Sequence, residues 1–170
     1  MADKYLDIVA GRQTQREATV VSAGAANNGD IVALDATGKL DNSVLPVGIG
    51  ADTQTLPSFE NLAAGDFVNI FDDAGTIKVR KADASTSGKE ADGFVLAAVT
   101  APANVVVYFE GTNTQLTGLT GGARYYLSAA TPGLSVTTAP SASGNVVQYL
   151  GKALSTTEIT FEATDGVILA

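Results

Sequence analysis

The chain has 170 residues, 10 basic against 18 acidic side chains, a formal charge of −8, and no Cys, His or Trp. Such a chain has no disulfide, no ordinary zinc site, no thiol nucleophile and no histidine-based triad. Its few cations cannot line a phosphate backbone, so no nucleic-acid partner is expected. The charged fraction is only 16%, too apolar for disorder and sparse for a free monomer's surface, which points to a surface partly covered by other protein.

In chain order, three zones differ in composition. Residues 1–26 open with the apolar patch Tyr5, Leu6, Ile8 and Val9. The polar run Gly11-Arg12-Gln13-Thr14-Gln15-Arg16-Glu17 and the small-residue run Ser22-Ala23-Gly24-Ala25-Ala26 follow. With so little to bury, this zone reads as an extended N-terminal arm that orders against a partner. Residues 27–56 hold a strand-like Asp30-Ile31-Val32-Ala33-Leu34, a turn at Asp35-Ala36-Thr37-Gly38 and a return through Lys39-Leu40-Asp41. Asp at the first turn position and Gly at the last predict a small hairpin. Pro46, Gly48 and Gly50 mark a connector after it.

Residues 57–170 carry most of the aromatics and a dense series of strand signals. Ser58 to Ala64 offers one or two helical turns, with Ser58 as the cap and Gly65 as the stop. Alternation over Asp66–Phe71 and Thr76–Arg80, around Asp72-Asp73-Ala74-Gly75, predicts a hairpin. Gly93–Val99 and Asn104–Phe109 read as long apolar strands. Shorter ones follow at Arg124–Leu127, Leu134–Thr137, Val146–Leu154 and Glu158–Phe161. Short strands punctuated by turns predict an all-β fold, a compact β-sandwich or barrel.

No run approaches the length needed to span a bilayer, and the start lacks a basic region followed by an apolar signal segment, so the expectation is a soluble protein made in the cytoplasm, with no membrane partner. Paired carboxylates are the one catalytic device the composition leaves, with Glu60, Asp66, Asp72, Asp73, Glu110 and Glu162 as candidates. Nothing fixes a spacing for them, and acids beside turns are ordinarily solvated. No catalytic residue is assigned and the chain reads as a non-enzyme. Asp35 and Asp41 flank a Gly, as in part of a calcium loop, yet the intervening ligands and the closing Glu are missing. No metal and no cofactor is assigned.

Tyr125 and Tyr126 are neighbours in a strand, so one faces inward and the other outward or into an interface. An outward Tyr serves as an interface anchor or as a sugar-stacking platform, which keeps a carbohydrate-binding reading open beside simple packing.

Two stretches carry a resemblance. Gly29 to Pro46, with Asp35-Ala36-Thr37-Gly38-Lys39-Leu40-Asp41 and Val44-Leu45-Pro46, is similar to a segment near the start of tailed-bacteriophage capsid decoration (cement) proteins and some fibre proteins. Leu116 to Leu154, with Gly121-Gly122 before Tyr125-Tyr126, resembles a β module common in phage structural proteins, and Glu90 to Ala97 fits the same kind of module. The resemblance implies a virion protein on the capsid exterior, a homotrimer that clamps the major capsid protein and stabilises the mature head. It brings no catalytic residues. The net charge of −8 agrees with an outer position, away from packaged genome. A tail, baseplate or head-fibre component with a receptor- or carbohydrate-binding domain is the alternative. Tyr5, Leu6, Ile8, Val9, Arg12, Arg16, Tyr125 and Tyr126 are the candidate partner-binding residues.

Overall fold

A computed structural model describes residues 3–45 and 51–170, so the Pro46, Gly48 and Gly50 connector lies outside the described residues. The protein is all β, with several antiparallel sheets and no α-helix among the described residues. It divides into two units, Met1–Gly50 and Ala51–Ala170.

In the first unit, β1 (Lys4–Val9) and β2 (Arg12–Glu17) pair antiparallel over their whole length, from Lys4 opposite Glu17 to Val9 opposite Arg12. The stretch expected to run as an extended arm therefore folds back on itself. Ala10 and Gly11 form the two-residue turn, with φ of 52° and 76°, the left-handed geometry that matches strand twist in tight hairpins. Alanine is unusual there, so the sequence carries no Asn-Gly or Asp-Gly signature to announce it. Further along, Asp35 does turn the chain. Its side chain accepts from the amides of Thr37 (2.8 Å) and Lys39 (2.9 Å), and its own amide donates to the Lys39 carbonyl (2.7 Å). No strand ladder flanks this turn. Val32 instead forms a single parallel bridge with Thr19.

The second unit takes in β3 (Thr53–Pro57). With β4 (Phe67–Asp73), β5 (Thr76–Lys81), β6 (Gly93–Val95) and β7 (Asn104–Tyr108) it makes a five-stranded sheet in the order β3-β7-β6-β4-β5. The chain then supplies β8 (Gly111–Asn113), β9 (Arg124–Leu127), β10 (Ser135–Val136), β11 (Val146–Val147), β12 (Tyr149–Ala153), β13 (Ile159–Phe161) and β14 (Val167–Ile168). Five of these form the second sheet, β10-β9-β12-β13-β8, while β11 and β14 pair apart.

Alternation assigns the two faces of the first sheet to two cores. Phe67 and Phe94, directly opposed on β4 and β6, face the second sheet. There Phe161 lies 5.9 Å from the Phe67 ring and 5.5 Å from the Phe94 ring, and Leu127 and Leu150 complete the layer. The other face gathers Val68, Val79, Val95, Val105 and Val107 with Leu56 and Leu62. Each such side chain, fully buried, contributes about 1.5–3 kcal/mol.

The predicted helical turns at 58–64 do not form. Ser58 bridges Val79 in parallel, its hydroxyl donates to the Ala103 carbonyl (2.9 Å), and Leu62 exchanges both backbone hydrogen bonds with Val99 (3.0 and 2.9 Å). So short a segment gains too little from helix formation to resist these pairings. The first sheet thereby curls until the extension of β3 meets β5.

Sheet two contains one irregularity, a register shift between Tyr149 and Gly151. A Cβ on Gly151 would collide with the carbonyl oxygen of Thr160 on β13, so only glycine allows the strands to approach there.

Candidate interaction surfaces

The first unit is built with almost nothing inside: none of its described residues is buried. Pairing in the hairpin sets Leu6 opposite Gln15 and Ile8 opposite Gln13 on one face. Leu6 is 69% exposed and Ile8 71%. Tyr5 opposite Arg16, Asp7 opposite Thr14 and Val9 opposite Arg12 share the other face. Val21, Ile31, Val32, Leu34 and Leu40 add further exposed apolar side chains.

Polar brackets hold this unit instead of a core. Arg16 reaches Asp7 at 3.2 Å and Asp30 at 2.8 Å, and Asp30 also accepts from Thr19 (2.9 Å) and Asn27 (2.9 Å). The hydrogen bond to Asp7 raises the Arg16 guanidinium above its ordinary value. Hydrogen bonds from Asn27 and then Thr19 hold the Asp30 carboxyl below the usual range. Asp35 is lowered by the Lys39 amide and the Thr37 hydroxyl, and Asp41 by the Ser43 side chain and amide. Arg16 is thus a bracket within the unit, whereas Arg12 at the hairpin tip forms no ion pair among the described residues. The Tyr5 hydroxyl is shielded from solvent without a hydrogen-bond partner among the described residues, a group whose desolvation costs about 1–3 kcal/mol.

The two remaining candidates lie in the second unit. Tyr125 is the inward one: it is buried, and its hydroxyl accepts from the Thr120 amide at 2.9 Å. Tyr126 lies on the opposite face of β9, half-buried, edge-on to Tyr149 at 6.0 Å, with the Arg124 guanidinium 5.9 Å from the Tyr149 ring. Beside Tyr125 is an open cleft of about 610 Å³ lined by uncharged groups, among them Ser128, Ser135, Thr137 and Thr138.

Most of the carboxylates considered for acid–base chemistry have structural duties. Asp66 is buried, pairs with Lys81 at 3.3 Å and accepts from the Ala63 amide. Asp73 pairs with Lys78 at 2.7 Å, Asp72 caps the Gly75 amide, and Glu60 accepts from the Lys81 amide. Among the described residues no three potential metal-ligating side chains converge, and no helix is long and apolar enough to cross a membrane.

Two features of the second unit escape the sequence reading. One is a cation–aromatic strip: Phe59 meets Phe71 edge-on at 5.3 Å, Arg80 stacks over Phe71 at 4.3 Å, and Lys78 lies 5.9 Å from the Phe59 ring. The opposition of Phe71 and Lys78 follows from the β4–β5 register, but Phe59 is hidden when residues 58–64 are read as helix. The other is a cleft of about 550 Å³ bordered by Glu90, Asp92, Glu162 and Asp165. Its carboxylates come from segments some seventy residues apart, which only the tertiary fold brings together. Burial, reinforced by Glu90, pushes the Asp92 carboxyl up against the opposing hydrogen bonds from Ile70 and Asn69.

Compared with known proteins, the chain matches no family model and no curated sequence.

Proposed function

We propose that the protein is a bacteriophage capsid decoration (cement) protein, an interaction protein without chemistry, which binds the outer surface of the major capsid protein lattice and stabilises the mature head. The observation that carries this reading is the first unit, a hairpin-bearing segment with no buried residue and with Leu6 and Ile8 presented to solvent. A partner that covers the Leu6–Ile8 face supplies the apolar contact the unit lacks, and the open edges of β1 and β2 accept an added strand, with backbone hydrogen bonds giving affinity. The reading includes the homotrimer that the sequence resemblance implies, since three linked sites bind far more tightly than one. Binding only the assembled lattice stabilises that lattice by mass action.

The test is decoration of bare capsids by the full chain, counted as copies per particle. Occupancy in the hundreds is expected for the native chain and a large loss for Leu6→Asp with Ile8→Asp. A handful of copies, or undiminished binding by the double variant, sinks the reading. The Tyr126–Tyr149 pair beside Arg124 favours a second reading, a tail or head-fibre protein with a carbohydrate-binding domain. Glycan binding lost in Tyr126→Ala decides for it.

A further inference from the structure

We propose that the second unit carries a self-complementary surface by which two copies of this chain associate, made of the cation–aromatic strip on β5 and the acidic cleft beside it. The distribution of charge is the first argument. Residues 51–170 are acidic on balance, yet four of their six cations, Lys78, Arg80, Lys81 and Lys89, lie on β5 or in the loop after it. Lys81 lies on the other face of β5 and pairs with Asp66, and Lys78 pairs with Asp73, which leaves Arg80 and Lys89 without an ion-pair partner among the described residues. The strip also has the composition of an interface centre, in which aromatic rings and Arg are enriched. Phe59 is 54% exposed. Arg80 is held in place by donating to the Asn69 side chain (2.9 Å) and the Gly88 carbonyl (2.9 Å), so little side-chain freedom remains to be lost on binding.

The acidic half is the second argument. Glu90, Asp92, Glu162 and Asp165 border one cleft, and none forms an ion pair among the described residues. Four like charges facing a shared space repel one another until a cation enters. The two halves adjoin: Asn69 accepts from Arg80 and donates to Asp92 at 3.1 Å. Opposite charges set side by side are complementary to themselves about a two-fold axis. The strip of each copy then covers the cleft of the other, the reciprocal arrangement of an isologous contact. Such a contact uses no shell and stands or falls separately from the decoration reading. It also adds a factor of two to whatever other symmetry the particle has.

Sedimentation of the intact chain tests this, with two charge-reversed variants. Glu162→Lys with Asp165→Lys makes the cleft basic, and Lys78→Glu with Lys89→Glu makes the strip acidic. Each variant alone should sediment at half the native mass, and an equimolar mixture should return to the native mass, because both reciprocal contacts are then restored. Phe59→Ser, a change at an exposed ring, should also shift the native species toward half mass with an unchanged melting curve. High salt should dissociate the native pair, since screening at about 1 M acts within roughly 3 Å. The proposal is overturned if any folded reversed variant keeps the native mass, or if the mixture stays at half mass. It also fails if Phe59→Ser leaves the mass unchanged, or if the cleft takes up only an unrelated basic protein while the chain stays unpaired.

Discussion

The two units of this chain solve the problem of holding an antiparallel hairpin in opposite ways. In the second, the base of the β4–β5 hairpin is buried on both faces, Phe67 against the other sheet and Val68 and Val79 in the curl of its own sheet, while its far end is exposed. In the first, the hairpin of β1 and β2 has comparable pairing but no interior. Arg16 and a set of Asp-centred turns substitute for packing. Hydrogen bonds at a solvated surface are each worth little net, whereas buried side chains accumulate stability. The second unit is therefore held by its packed cores, and the first by polar contacts at its surface.

The largest expected effect tests the packed side. Phe67→Ala removes a ring enclosed between two sheets and should cost about 3–5 kcal/mol, read as a lowered melting transition of the second unit. Leu6→Ala should leave that transition unmoved. Equal effects from both substitutions would erase the distinction between the units. Next comes Gly151→Ala, where the added methyl meets the β13 backbone. A loss of about 1–3 kcal/mol is expected, and an unchanged melt would show that the β12–β13 contact is looser than described.

Acid should separate the units further. The lowered carboxyls of Asp30, Asp35 and Asp41 contribute stability that is full above their ordinary pKa, about 3.8, and is lost as pH falls through their lowered values. Asp92 has the opposite sign: its pKa is raised in the folded state, so the fold takes up its proton first and gains stability as pH falls through that raised value. Hydrogen-exchange protection at the Thr37 and Lys39 amides should therefore drop at acid pH, while that of Val68 and Val95 holds. Simultaneous loss at both places would contradict the assignment. The smallest effect is that of Asp35→Ala, which should abolish protection at Thr37 and Lys39 alone and leave the global melt untouched.

How much of this was legible in the sequence follows the same divide. The β4–β5 hairpin and the strands at Tyr125 and Val105 announced themselves, because period-two alternation is imposed by burial and the second unit buries its strands. The β1–β2 hairpin did not, because its turn is Ala10-Gly11 and β2 is polar on both faces, so no periodicity marks it. Ser58 to Ala64 has helix-like chemistry and was overridden by Val79, Val99 and Ala103, all distant in sequence. The hairpin residues were identifiable as apolar side chains with nothing to bury against. The strip at Phe59 and the acidic cleft exist only once β3 has curled round to β5 and residues 90 and 162 have been brought together.

That curl has a mechanical consequence. The chain enters the second unit at Ala51 and runs at once into β3, whose five residues pair along β7 before Ser58 and Phe59 bond to Val79 on the far edge. A pull directed along β3 strains its bonds to β7 and to β5 together instead of parting them one after another. Under a pull in that direction the front edge of the unit is loaded in shear, which takes more force than peeling the same strand away sideways.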